Sequence, residues 1–171
     1  MKVLIPAAEI ERRIDELGRE IAAAYPDHQP VTIVGVLTGC LIFLADLIRR
    51  VDLPLRISLI QASSYRGETT DPGELQIHSD LLPDVTGCDV LLIDDILDTG
   101  RTISRIGAHL KSRGARSVRV AVLLRKRGRQ EVPFEPDFCG FEIPNEFVVG
   151  YGLDYNNEYR HLPFIGVLPT P

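Results

Sequence analysis

The amino-acid sequence predicts an α/β fold, with a mostly parallel central sheet flanked by helices and a small C-terminal hood. Three observations predict it. Apolar runs of strand length alternate with segments of helical periodicity from Ile10 to Leu124, the pattern of a parallel sheet covered on both faces. The stretch Val90-Leu-Leu-Ile-Asp-Asp-Ile-Leu-Asp-Thr-Gly-Arg-Thr102 runs from such a segment through two carboxylates and a glycine turn directly into a helix. Beyond Pro133 only short extended pieces remain, too little for another full layer.

Ile10, Ile14, Leu17 and Ile21 recur at helical spacing with charges between them, so the chain opens on an amphipathic helix that ends near Tyr25-Pro26. Val31 to Leu37 is a buried strand, Gly39 marks a tight turn, and Leu41 to Ile48 has helical character. Leu55 to Ile60 is the next strand. Ser63 to Gly73 is rich in Ser, Thr, Gly and Pro, the composition of a mobile loop, and Glu74 to His78 returns from it as the second arm of a hairpin. Val90 to Ile93 is a third buried strand. Arg101 to Arg113 places Ile103, Ile106 and Leu110 on one helix face and stops at Gly114, where a C-cap favours glycine. Val118 to Leu124 is a fourth strand, and Phe138 to Ile143, Phe147 to Val149 and Phe164 to Val167 are assigned to the hood. With no internal repeat and no linker, residues 1–171 read as a single domain, its core about 28–130, its hood about 131–171 with the N-terminal segment, and its mobile loop about 63–75.

The composition excludes several function classes. Hydrophobic residues at 44% and charged residues at 25% match a soluble globular chain rather than a disordered one. A net charge of -5 argues against a broad face for nucleic acid. Cys40, Cys88 and Cys139 are odd in number and lack metal-ligand spacing, so they read as reduced thiols of a cytoplasmic protein. Glu9, Glu11, Arg12 and Arg13 precede any long apolar run, unlike a secretory signal. Val31 to Ala45 is uncharged but shorter than the ~20 residues a membrane helix needs.

The chemistry concentrates at residues 94–102. Backbone N–H groups with a glycine among them, at the start of a helix, suit a phosphate, and Thr99 and Thr102 add hydroxyl donors. Carboxylates beside a phosphate would repel it, so Asp94 and Asp95 suit ribose hydroxyls or a magnesium ion arriving with the substrate. Singly, each residue could merely end a strand or cap a helix. An aspartic-protease turn also contains Asp-Thr-Gly, but the helix that follows and the Asp94-Asp95 pair have no place in that motif.

Ile93-Asp-Asp-Ile-Leu-Asp-Thr-Gly-Arg-Thr102 resembles the signature of the type I phosphoribosyltransferase family. Val36-Leu-Thr-Gly39, Ser64-Tyr65, Leu124-Arg-Lys-Arg127, Pro136-Asp-Phe138, Gly140-Phe-Glu-Ile143 and Phe147-Val-Val-Gly-Tyr-Gly-Leu-Asp-Tyr155 are similar to its hypoxanthine-guanine branch. The resemblance runs from about the first strand to the C-terminus. It implies the type I phosphoribosyltransferase fold and purine salvage, in which the ribose 5-phosphate of phosphoribosyl pyrophosphate passes to N9 of hypoxanthine or guanine. The products would be IMP or GMP and pyrophosphate, with magnesium as cofactor and a homodimer or homotetramer as the assembly. A xanthine-preferring enzyme and a nucleotide- and RNA-binding regulator of the same fold are the alternatives. Asp98 speaks against the regulator, which tends to carry a bulkier residue there.

Carried over residue by residue, the resemblance implies that Asp94 and Asp95 hold the ribose hydroxyls. Asp98, Thr99, Gly100, Arg101 and Thr102 would hold the 5′-phosphate, with Ile96 and Leu97 completing the segment. Asp98 would also exchange a proton with N7 of the purine as the catalytic residue. Leu37, Thr38, Gly39 and Arg160 would meet pyrophosphate, the Leu37-Thr38 bond being cis in the family. Lys126 would donate to the 6-oxo group, Phe147 would stack on the ring, and the Val148 carbonyl would accept from the base. Asp154 would bind magnesium beside the purine, with Asp94 and Asp95 as further metal candidates, and Ser64 and Tyr65 would open a lid. Two positions depart from the family. Thr38 stands where Lys or Arg is usual, removing a cation that would orient pyrophosphate or a neighbouring subunit, with Arg66 or Arg101 as candidate replacements. Asp94 stands where Glu is common.

Overall fold

The computed structural model describes residues 1–27, 29–64 and 75–169. Its elements are β1 (Lys2–Ile5), α1 (Ala7–Ala24), β2 (Val31–Leu37), α2 (Leu41–Ile48), β3 (Leu55–Ser64), β4 (Leu75–His78), β5 (Asp89–Leu97), α3 (Arg101–Ser112), β6 (Ser117–Lys126), β7 (Phe138–Ile143), β8 (Val148–Val149) and β9 (Ile165–Val167). The main sheet runs β4-β3-β2-β5-β6-β7, parallel throughout except for β4, which returns antiparallel on β3. A second, three-stranded antiparallel sheet has the order β1-β9-β8.

Alternation along the strands divides the core in two. Ile33, Leu91, Ile93, Ala121 and Leu123 face the layer of α1 and α2, where Ile10, Ile14, Leu17, Ile21, Phe43 and Leu47 are buried. Val34, Val36, Val90, Leu92, Val120 and Val122 face α3 through Ile103, Ile106 and Leu110. Each central strand is thus apolar on both faces, which is why these runs read as continuous rather than alternating. Gly114 follows the α3 C-cap residue with φ 89, the left-handed position expected of it.

Three expectations change. Phe138–Ile143 does not belong to the hood: β7 is the edge strand of the main sheet, parallel to β6, and Arg13 of α1 ties to it by donating to Gly140 O at 3.0 Å. The hood sheet proper is built from β8, β9 and the N-terminal β1, a strand of four residues too short to stand out in sequence. β5 continues to Leu97, so the acidic pair lies within the strand and not after it. Among the described residues, no helix is long and apolar enough to cross a membrane.

Candidate functional site

The carboxyl ends of β2, β5 and β6 open on one side of the sheet, where ligands of open α/β folds gather. Leu37 ends β2 and enters a cis peptide bond with Thr38. Gly39 follows, and a Cβ there would collide with Asp95 Oδ2, so the loop after β2 lies directly on the acidic pair. A cleft of about 250 Å³ is lined by Asp94, Asp95, Ile96, Leu97, Asp98, Thr99, Gly100 and Thr102, together with Val36 and Ile103.

The acidic pair is held by its own backbone. Asp94 Oδ1 accepts from the Asp95 N–H at 2.9 Å, and Asp95 Oδ1 accepts from the Ile96 N–H at 2.8 Å. Burial, with the Asp95 charge second, pushes the Asp94 carboxyl well above the usual carboxylate range. Burial also pushes Asp95 up, against the pull of its hydrogen bonds and of Arg160. Behind them the buried Cys40 thiol is pushed up to about 12, by burial first and by these two carboxylates next. Two carboxylates so confined can accommodate a cation or accept from hydroxyls with little reorganisation.

The turn that follows is shaped for an anion. Gly100 takes φ 83 as the N-cap of α3, a conformation that costs other residues a steric penalty. The Thr99 carbonyl accepts from the N–H groups of Glu131 and Val132 at 3.0 and 3.1 Å, which clasps the turn from outside. The Arg101 N–H donates to Thr99 Oγ1 at 3.4 Å, while the Thr102 and Ile103 N–H groups at the start of α3 have no partner within the helix. The Leu97 side chain lies in the core beneath the cleft. Arg101 does not reach inward: its side chain is 67% exposed and pairs with Glu131. It therefore gives no substitute cation at Thr38.

Across the cleft, Lys126 at the end of β6 places Nζ 3.6 Å from Asp98 Oδ2. Arg129 donates from Nε to Asp98 Oδ1 at 3.0 Å. Sequence reasoning missed Arg129; the basic run Arg125-Lys-Arg-Gly-Arg129 was the available signal.

The hood supplies the remaining candidates. Phe147 is 45% exposed and meets Tyr155 edge-on, ring centroids 5.6 Å apart. Val148 is buried in β8. Asp154 Oδ1 pairs with Arg160 Nη2 at 2.9 Å, and Arg160 Nη1 donates to Gly152 O at 2.7 Å. A Cβ on Gly152 would collide with Gly39 O, so the hood coil rests on the loop after β2. The structure thus brings together Asp98 with Lys126, Gly39 with Asp95, and Asp154 with Arg160. Ser64 closes β3, while Tyr65 and Arg66 lie outside the described residues. Among the described residues, no three His, Cys, Asp or Glu side chains converge to make a closed metal site.

A family profile described as "Phosphoribosyl transferase domain" matches residues 6–156. The hypoxanthine-guanine phosphoribosyltransferase of Bacillus subtilis is 45% identical over 167 residues, 98% of this chain and 92% of the relative. The hypoxanthine phosphoribosyltransferase of Escherichia coli is 44% identical over 167 residues, 97% of this chain and 94% of the relative. A bifunctional TilS/HprT protein of Listeria innocua is 47% identical over 167 residues, and this chain spans 26% of its length. Among solved structures, a hypoxanthine-guanine phosphoribosyltransferase of Bacillus anthracis superposes with TM-score 0.92 at 32% identity, covering 99% of both chains. A Trypanosoma cruzi hypoxanthine phosphoribosyltransferase superposes with TM-score 0.91 at 36% identity, covering 99% of this chain and 91% of that one.

Proposed function

The chain belongs to the type I phosphoribosyltransferase family, and from that premise we propose that it transfers ribose 5-phosphate from phosphoribosyl pyrophosphate to N9 of hypoxanthine or guanine. The observation that carries the reading is the pairing of Asp98 with Lys126 at the mouth of the phosphate cleft. A 6-oxopurine presents two adjacent groups in the same order, an oxo acceptor for the donor-only ammonium and N7 for the carboxylate. Phe147 stacks on the ring, indifferent to which purine lies there, and the Val148 carbonyl accepts from the base edge.

In this reading residues 98–102 bind the 5′-phosphate through N–H groups and the Thr99 and Thr102 hydroxyls, and Asp94 and Asp95 bind the ribose hydroxyls. Leu37, Thr38, Gly39 and Arg160 receive pyrophosphate. N9 displaces pyrophosphate from C1 of the ribose as positive charge develops on the sugar, which the neighbouring carboxylates tolerate. Asp98 takes or returns the N7 proton as the base becomes nucleophilic. The hard oxygen donors of Asp94, Asp95 and Asp154 fit magnesium, which keeps few protein ligands and shares phosphates with its substrate, so a closed cluster is not required. When bound, magnesium neutralises charge on the leaving pyrophosphate.

The same reading takes residues 1–171 as one domain acting in the cytoplasm, where three free thiols are compatible with a reducing milieu. It includes self-association as a dimer or tetramer, supported by the exposed Leu41 and Ile42 on α2 beside the loop after β2, and read by size-exclusion chromatography with light scattering. The enzymatic test is incubation with magnesium, phosphoribosyl pyrophosphate and each of hypoxanthine, guanine, xanthine, adenine and uracil. IMP and GMP are the expected products; xanthosine monophosphate alone would move the assignment to xanthine.

A further inference from the structure

One part-buried polar contact lies outside the groups placed against substrate. Tyr151 is 7% exposed, and its hydroxyl donates to Asp46 Oδ2 on α2. Tyr151 has φ 50 between Gly150 at φ 98 and Gly152 at φ 101, three consecutive left-handed residues in a tight coil. That region is free of steric cost only for glycine, so a tyrosine there is held by its surroundings. The backbone holds the coil through the Tyr151 N–H donating to Leu162 O at 2.8 Å, the Gly152 N–H donating to Arg160 O at 3.0 Å, and reciprocal bonds between Gly150 and Leu153. The hydroxyl adds a side-chain restraint toward α2, and its acceptor is itself steadied by ion pairs with Arg49 and Arg50.

What this coil touches gives the contact its importance. Gly152 packs on Gly39 O, and Gly39 packs on Asp95 Oδ2, both so closely that neither position has room for a Cβ. The Gly152–Gly39 contact is between backbones and cannot be relaxed by a rotamer change, so a displacement of the coil passes directly to the loop after β2, whose Gly39 lies against the Asp95 side chain. Gly152 O is also the acceptor for Arg160, which in turn holds Asp154.

We propose that the Tyr151–Asp46 hydrogen bond is a positioning device for the pyrophosphate end of the site, setting the height of the coil on Leu37–Gly39 and the stance of Arg160 and Asp154. It acts through α2, which carries no substrate-facing group of its own, and it rests on the functional reading above. Burial, and then Asp46, push the Tyr151 hydroxyl upward, so it remains a protonated donor across the working pH range. The purine groups Lys126 and Phe147 lie outside this chain of contacts, so the two substrates respond differently to its loss.

Y151F keeps the ring and removes the bond, while D46N keeps an acceptor oxygen for the hydroxyl and removes the charge. The expected result for Y151F is a KM for phosphoribosyl pyrophosphate raised roughly 3- to 10-fold, the effect of losing one buried hydrogen bond, with the KM for hypoxanthine at its wild-type value. D46N is expected to fall between wild type and Y151F. An unchanged phosphoribosyl pyrophosphate KM in Y151F, or both KM values rising together in step with a fall in Tm, would overturn the proposal. Titration of magnesium and inorganic pyrophosphate by calorimetry separates it from the functional reading. If wild type forms no nucleotide yet binds pyrophosphate more tightly than Y151F, the functional reading fails and the positioning role stands; equal binding, or none by wild type, overturns the positioning role.

Discussion

Lys126 Nζ stands 3.6 Å from Asp98 Oδ2, while Arg129 Nε donates to the other carboxylate oxygen, Oδ1, at 3.0 Å. Each oxygen of the carboxylate that begins the turn before α3 therefore faces its own cation. Lys126 is the more enclosed of the two, its side chain 12% exposed against 45% for Arg129. At 3.6 Å the ammonium attracts the carboxylate without a tight hydrogen bond, which leaves donors to offer a purine oxygen.

Asp98→Asn removes the proton acceptor and leaves the Gly100 turn and the first turn of α3 intact. Turnover is expected to fall by about 10²- to 10⁴-fold, the range of general acid–base assistance, with KM for phosphoribosyl pyrophosphate little changed. Steady-state kinetics against both substrates checks this. A KM for phosphoribosyl pyrophosphate rising as steeply as kcat falls would remove the proton-transfer role.

Lys126→Met keeps an unbranched side chain, one atom shorter, and deletes the charge. The kcat/KM for hypoxanthine is expected to drop roughly 10- to 100-fold, since a hydrogen bond from a charged donor carries about 1.5–3 kcal/mol. Adenine, which has no oxo group, should lose far less of whatever activity it shows. Competition between the two bases in one reaction measures the ratio, and an unaltered ratio would place Lys126 away from the 6-position.

How much of this was legible in sequence depended on how local each cause is. The α1 helix could be read because Ile10, Ile14, Leu17 and Ile21 carry the period themselves, and the strand, glycine turn and helix start of residues 94–102 because they are contiguous. β1 was missed because four residues carry no period, and its partner β9 lies at the opposite end of the chain. β7 was placed in the hood because an extended segment does not announce which sheet it joins; its parallel register on β6 decides that. Arg129 and Asp46 escaped for the same reason: their partners, Asp98 and Tyr151, are 31 and 105 residues away. Phe147, Asp154 and Lys126 were singled out only through the family resemblance, since each taken alone reads as an ordinary hood or strand-end residue.

Asp94→Asn is expected to stabilise the protein near neutral pH while reducing activity. Burial, and then Asp95, hold the Asp94 carboxyl well above its ordinary 3.8, so the folded chain binds that proton more tightly than the unfolded chain. The resulting penalty is absent below the ordinary range, grows as pH rises through it, and levels off above the raised folded value. Asn keeps an oxygen for the Asp95 N–H and carries no charge. Its Tm should exceed wild type at neutral pH, and the gain should shrink toward pH 4. Differential scanning calorimetry at the two pH values reads it, and equal Tm values throughout would contradict the account of the acidic pair.

Asp89 gives the opposite sign at the other end of β5. Hydrogen bonds from Arg116, and then Ser117, hold its carboxyl down at about 2. Its contribution is complete above the ordinary carboxylate range and is lost as pH falls through about 2. Arg116 is 59% exposed, so solvent screening limits the value of the pair. Asp89→Asn is expected to cost about 1 kcal/mol at pH 7 and to converge with wild type in strong acid, as urea denaturation would show. Its kcat/KM should match wild type, because Asp89 starts the strand whose far end lines the cleft.

In the proposed function, loss of pyrophosphate is coupled to formation of a bond from C1 of the ribose to N9 of a 6-oxopurine. Parallel measurement of IMP formed and pyrophosphate released, from hypoxanthine, phosphoribosyl pyrophosphate and magnesium, reads that coupling. The expected result is equal molar appearance of the two products, dependent on magnesium and nearly abolished in Asp98→Asn. Pyrophosphate release without nucleotide, or no nucleotide from either hypoxanthine or guanine, would contradict it.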